Sequence, residues 1–332
     1  METVKCSSYA QIIMHMRSLY RKIIGVHEIS FFTEQSEKDK EKIQTIIYDE
    51  IQSGKPLMIA RLGHTEMMIL ENLRYTFYKR RSNLKYIMWK GQPNFLNPIL
   101  VPMFHKLSGF FPSDDIDALK KFYHLMVDNM QNCDILGSWL YNEKYFEEEL
   151  KATIKLDRER MTPLLTNSPW TRALKGKKVL VIHPFEDSIK AQYAQREKLF
   201  PQCPDILPDF KLYVIKAVQT VGGGISCHKD WFEALEYMKR EMDKIDYDIC
   251  LLGCGAYGFP LAAYAKECGK QAVHLGGVLQ LLFGIKGRRW ETDKGYLEDF
   301  PYAKTYYNEY WVRPSAEECP PDAKSVEEGC YW

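Results

Sequence analysis

The chain has 332 residues, 45% of them hydrophobic and 27% charged, the mixture of a soluble globular protein with a substantial core. Lys and Arg number 45 against 44 for Asp and Glu, so no global field selects nucleic acid or an acidic membrane surface, and only a local basic patch stays open. The cysteines number nine, an odd count without paired zinc-like spacing, which points to a reduced, cytoplasmic chain.

In chain order, the first segment places Ile12, Met16, Leu19, Tyr20 and Ile23 at helical spacing. His15, Arg17, Arg21 and Lys22 break the apolar run, so it reads neither as a signal peptide nor as a membrane span. Two readings stand for this helix: ordinary packing on the core, which any amphipathic helix satisfies, and peripheral contact with a membrane surface. Residues 36–53 have a Ser start, an acidic first turn and a Gly54/Pro56 stop, and predict a helix. "LMIAR" is a short buried strand, and a second helix begins near Thr65. The basic, aromatic run from Tyr75 to Lys90 reads as a loop or exposed element. Ser113 opens a helix through Met130, and "CDILGSW" follows as a strand.

A Pro-rich, polar break at 162–170 divides the chain into an N-terminal part (1–165), an α/β part (166–290) and an aromatic wrapping tail (291–332), which can share one compact domain. The α/β part alternates clearly: strand "KKVLVIH", helix 186–199, strand "KLYVIKA", helix 229–244, strand "DICLLG", helix 259–268, strand "QAVHLG". Apolar strands alternating with helices predict a Rossmann-like α/β fold, a mostly parallel sheet with helices on both faces, plus N-terminal helical additions.

In such a sheet ligands bind beyond the carboxyl ends of the strands, where five loops converge: "RLGHTE", "HPFEDS", "QTVGGG", "GCGAYGFP" and "HLGG". The fourth carries Gly253, Gly255 and Gly258 as GxGxxG between a strand and a helix, the context of a phosphate-cradling turn. A dinucleotide site needs an acid at the end of the next strand, which here ends at His274 before Gly276 and Gly277. A nucleotide or nucleotide sugar is therefore preferred to NAD, with a plain tight turn as the other reading. Glu186 and Asp187 follow "VLVIH" and suit either a general base or the start of a helix. Lys286, Arg288 and Arg289 suit either a diphosphate or a solvated patch.

The stretch Arg61-Leu62-Gly63-His64-Thr65-Glu66 resembles the Arg-aromatic-Gly-Asp-x-Glu motif of the GT-D type glycosyltransferases, and "CLLGCGAYGFPLAAYAKECGKQAVHLGG" resembles that family's final strand, glycine loop, helix and strand. The resemblance implies a Rossmann-like catalytic domain, a nucleotide-diphosphate sugar donor and an acid pair that helps hold a metal and the diphosphate. Glu66 matches the second acid, and His64 stands where the first would be. Manganese tolerates imidazole and magnesium prefers oxygen, so a manganese site on His64 and Glu66 and a metal-free site with Arg or Lys compensation are both open.

The sequence thus points to a glycosyltransferase moving a sugar from a nucleotide donor, with a uridine diphosphate sugar first in line, to a glycan or glycoconjugate hydroxyl. Arg61, Gly63, His64, Gly253, Gly255, Gly258, His274, Gly276, Gly277 and Arg288 are expected on the donor, with Glu66, Asp187 and Glu186 as the chemical groups. The alternatives are another nucleotide-using Rossmann-like enzyme, a methyltransferase or a dehydrogenase, and a non-catalytic nucleotide-sugar binding subunit.

Overall fold

The computed structural model describes residues 7–25, 36–79, 81–112, 115–151, 154–221, 224, 226–291, 305–326 and 328–332. Its strands are β1 (Leu57–Ala60), β2 (Ile135–Ser138), β3 (Ile154–Asp157), β4 (Lys178–His183), β5 (Lys211–Lys216), β6 (Ile249–Leu252) and β7 (Gln271–His274). The helices are α1 (Ser8–Ile24), α2 (Lys40–Gln52), α3 (His64–Leu73), α4 (Leu84–Ile87), α5 (Leu100–Ser108), α6 (Ile116–Met130), α7 (Glu186–Ala194), α8 (Arg196–Leu199), α9 (Trp231–Asp243), α10 (Gly258–Glu267) and α11 (Leu279–Leu282).

The seven strands form one sheet in the order β3-β2-β1-β7-β6-β4-β5, every pairing parallel. Parallel strands need covering on both faces, and the period-2 pattern supplies it. Met58 and Ala60 join one buried cluster with residues of α3, α5, α6, α9 and α10. Leu57 and Ile59 join the other, with residues of α2, α7, α11 and the tail.

Helix starts follow local capping. Asp39, Asp115 and Asp230 accept amide hydrogens from the first turns of α2, α6 and α9, which satisfies donors that a helix cannot pair internally. The helix expected from Ser36 therefore begins at Lys40. Ser113 and Asp114, expected to open α6, lie outside the described residues.

The break expected at 162–170 does not interrupt the sheet. β1 from the N-terminal part pairs with β7 from the α/β part, Met58 opposite Ala272. Leu164, Leu165 and Trp170 in the break are themselves buried. The basic run after Tyr75 holds a wide helical turn (Arg74–Tyr78) and α4. β3 and α5 have no counterpart in the sequence-based expectation.

The order of strands creates two crevices. β1 leads into α3 on one face while its neighbour β7 leads into α11 on the other; β6 leads into α10 while its neighbour β4 leads into α7 on the opposite face. Adjacent connections that leave in opposite directions open a gap at the carboxyl edge, where parallel sheets take ligands.

Candidate functional site

Two adjoining cavities occupy this edge, and both are lined by Arg61 and Gly277. The larger, about 710 Å³ counting its open mouth, lies at the ends of β4, β5 and β6 and is lined by His183, Phe185, Thr220, Gly253, Gly255 and Tyr257, with Tyr331 and Trp332 brought in by the tail. The other, about 640 Å³ on the same basis, lies towards β3 and contains Arg158, Glu159, His274 and Arg289.

Arg61 leaves β1 directly, and its buried Nε has no hydrogen-bond partner. Burial, then the charge of Arg158 and more weakly that of Arg289, push its pKa down to about 10, while Tyr331 and Glu66 pull the other way. It remains a cation at neutral pH. Gly276 makes room for it: a Cβ there would stand 1.6 Å from Arg61 Nη2, and the backbone has φ +65°.

The residues at the start of α3 have separate environments. Glu66 is buried, and its carboxylate folds back over Gly63, where an added Cβ would meet Oε2 at 1.9 Å. Gly63 thus accommodates its own helix's acid. Burial raises the Glu66 pKa, with its own amide, the Ser108 hydroxyl and the Arg61 charge opposing. His64 is exposed, with its ring 6.3 Å from that of Trp139.

Two residues apart on α3, His64 and Glu66 do not share a helix face. Among the described residues no group of three or more His, Cys, Asp or Glu side chains is placed to hold a metal ion. With an exposed imidazole in place of the first acid and Glu66 buried over Gly63, the pair offers one carboxylate where the family motif implies two, a poorer match to a hard divalent cation.

The three glycines of GxGxxG serve different ends. At Gly253 a Cβ would meet the His183 ring at 2.6 Å, and at Gly258 it would meet His274 Nε2 at 2.3 Å. Gly255 has φ +57° and faces open space, its nearest atom 4.0 Å away. Gly253 and Gly255 line the cavity, and Gly258 is buried against an imidazole.

Both histidines at strand ends are buried and pushed down to about 3, His183 by burial alone and His274 by burial with the Arg61 charge added. His183 Nδ1 accepts the Phe185 N–H at 3.0 Å, which leaves Nε2 as the hydrogen-bearing atom of a neutral ring. Neither nitrogen of His274 completes a hydrogen bond.

Glu186 and Asp187 are not among the lining residues. Glu186 pairs with Lys190 at 2.5 Å, and Asp187 is exposed at the start of α7. The lining carboxylate is Glu159, half-buried, raised by burial, and 2.8 Å from Arg158. Arg288 is exposed and bonds Glu328, whereas its neighbour Arg289 enters the cavity. In the "QTVGGG" loop, Gly222 and Gly223 lie outside the described residues.

A family model described as a GT-D fold-like domain matches residues 38–282. The chain belongs to the GT-D-like family. Among curated proteins and among solved structures, nothing matches it significantly. The GT-D-like segment ends at Leu282, so Arg289, Tyr331 and Trp332 reach the cavities from outside it. Sequence reasoning missed Arg158, which follows a strand that was not expected, and chose Arg288 over Arg289, a choice that only the facing of one short turn decides.

Proposed function

We propose that this GT-D-like chain is a glycosyltransferase that takes a nucleotide-diphosphate sugar, a uridine diphosphate sugar being the first to test, and passes the sugar to a glycan or glycoconjugate hydroxyl. The observation that carries the reading is the half-buried Arg61, whose Nε lacks a partner at the meeting point of two cavities on the carboxyl edge of a parallel sheet. A buried donor without an acceptor costs about 1–3 kcal/mol, a cost that an anionic ligand removes.

In this reading charge grows on the departing diphosphate as the bond to the sugar breaks. Fixed guanidinium groups and the neutral N–H of His183 meet that charge without reorganising, which is the largest contribution in reactions of this kind. Glu159 is the carboxylate at the cavity wall and takes the acceptor-side role first assigned to Glu186 and Asp187.

Turnover of a panel of radiolabelled nucleotide sugars, with thermal shifts for uridine diphosphate, NAD and S-adenosylmethionine, tests the proposal. Stabilisation by uridine diphosphate together with sugar release is expected. A shift with NAD or S-adenosylmethionine alone overturns it. The separated His64 and Glu66 favour one second reading, a nucleotide-sugar binding subunit, which binding without turnover on any donor would select.

A further inference from the structure

The cavity towards β3 collects three arginines from distant parts of the chain: Arg61 after β1, Arg158 after β3 and Arg289 after α11. They lie close enough that Arg158 and Arg289 each depress the pKa of Arg61. Folding has concentrated like charge where it repels, and the carboxylate on the wall of this cavity is Glu159, 2.8 Å from Arg158. Aromatic faces position two of the guanidinium groups: Arg158 lies 3.8 Å from the Trp139 ring centroid and Arg289 lies 4.8 Å from that of Tyr331. Arg289 also donates to the Tyr331 hydroxyl at 3.2 Å. Independent of the charges, His274 lines the same cavity, is only 5% exposed, and has both ring nitrogens without a hydrogen-bond partner.

We infer that Arg61, Arg158 and Arg289 bind the donor's diphosphate directly, with His274 hydrogen-bonding a phosphate or sugar oxygen, so that the chain holds nucleotide diphosphates without a divalent cation. This rests on the donor class proposed above. Guanidinium forks match phosphate oxygens two at a time, and three of them supply the charge that an acid pair would otherwise recruit as a metal. The departure at His64 then has a consequence: Glu66 is left as a buried acid beside Arg61, folded over Gly63, and not as a metal ligand.

Calorimetric titration of the full chain with uridine diphosphate and with inorganic pyrophosphate, in chelator and then with manganese or magnesium, tests this. Binding in chelator is expected, with about the same affinity when the cation is added, and Arg158→Gln and Arg289→Gln are each expected to weaken pyrophosphate by about tenfold or more while the melting temperature holds. Arg289→Lys, which keeps charge and loses the fork, should fall between. Pyrophosphate binding that requires the cation, or that survives both Gln variants unchanged, overturns the inference. Pyrophosphate binding in chelator without any nucleotide binding overturns the donor class and leaves the arginine site standing.

A different observation carries a second proposal. α1 packs on α4, with Ala10 and Ile13 buried and the Arg17 guanidinium 4.1 Å from the Tyr86 ring centroid. Its outward stripe of Ile12, Met16, Leu19 and Ile23 stays exposed, from 44% at Leu19 to 74% at Ile23. Residues 7–25 and 72–112 contain no Asp or Glu, and Lys22, Lys85 and Lys90 are exposed on or beside α1.

We propose that this face docks on an anionic lipid surface. The stripe has the spacing of a coiled-coil seam, but flanking Ser8, His15 and Lys22 offer no acid to a second copy's lysine, whereas an anionic bilayer complements both the stripe and its basic rim. Co-sedimentation with vesicles of phosphatidylglycerol and phosphatidylcholine is expected, with little on phosphatidylcholine alone, and an Ile12→Gln/Leu19→Gln variant should lose about tenfold in partitioning. Absence of vesicle binding overturns the proposal, as does dimerisation through this face that the same variant abolishes.

Discussion

A methyl group at position 276 has nowhere to go. It would stand 1.6 Å from Arg61 Nη2 on a backbone at φ +65°, so Gly276→Ala should cost about 1–2 kcal/mol in backbone strain and displace the guanidinium. Weaker pyrophosphate binding in a folded variant is the expected result, read by calorimetry; unchanged affinity would show that Arg61 does not reach the ligand. The buried histidines make a second test at this scale. His183 and His274 are pushed down to about 3 from an ordinary value of 6.5, so the unfolded chain binds more protons than the fold below pH 6.5. Stability is complete above that value and falls as pH drops through the window from 6.5 towards 3. At pH 5 each should cost on the order of 2 kcal/mol, and His183→Gln/His274→Gln should flatten the acid limb of melting temperature against pH. A wild-type limb that is already flat would contradict the burial of neutral imidazoles. At this scale the sequence was legible in part. Arg61, Gly253, Gly255, His274, Gly276 and Gly277 were expected at strand ends, and they do reach the carboxyl edge. The reason for each glycine was not legible, because it depends on the ring or guanidinium that approaches from another strand.

Elements were more legible than residues because burial periodicity is local. The strands "KKVLVIH", "KLYVIKA", "DICLLG" and "QAVHLG" became β4 to β7 with shifts of one or two residues, since a continuous apolar run flanked by helix signals has few alternatives in a covered parallel sheet. The helix expected over 186–199 is interrupted at Gln195, leaving α7 and α8. β3 escaped notice because Lys155 and Asp157 interrupt its apolar pattern, as befits an edge strand whose pairing partner is β2 alone among the strands. The start of α7 illustrates what local patterning misses. Its acids suggested self-capping or a catalytic base, but the tail supplies the cap: Glu318 accepts the amides of Asp187 at 2.8 Å and Ser188 at 3.2 Å, together with the Ser188 hydroxyl. Glu318→Ala removes a buried carboxylate acceptor from these donors and from the Ser315 amide, and should lower stability by about 1–3 kcal/mol. Denaturant unfolding checks this, and a midpoint equal to wild type would mean that water replaces the cap at no cost.

At the scale of the whole molecule, the site exists because the strand order brings together loops that are far apart in sequence. β1 lies beside β7 although more than two hundred residues separate them, and no local pattern encodes that neighbour; only the rule that parallel sheets bind at their carboxyl edge made the convergence foreseeable. The tail was expected to wrap, and it packs against the buried cluster through Trp311 and Cys330's neighbour Tyr331. What its composition did not reveal is that Tyr331 and Trp332 form a wall of the larger cavity, opposite the glycine loop after β6. Tyr331 stands over Gly277, where a Cβ would meet its ring at 2.3 Å, and Trp332 Nε1 donates to the Glu318 carbonyl at 3.4 Å. A nucleoside with its diphosphate at the arginines would carry its base towards these rings. Base stacking on an aromatic side chain is worth about 1–3 kcal/mol, so Trp332→Ala should weaken uridine diphosphate by about tenfold or more while leaving inorganic pyrophosphate, which has no base, within about twofold. Equal losses for both ligands would assign Trp332 to shaping the arginine site, and no loss for either would remove the tail from donor recognition.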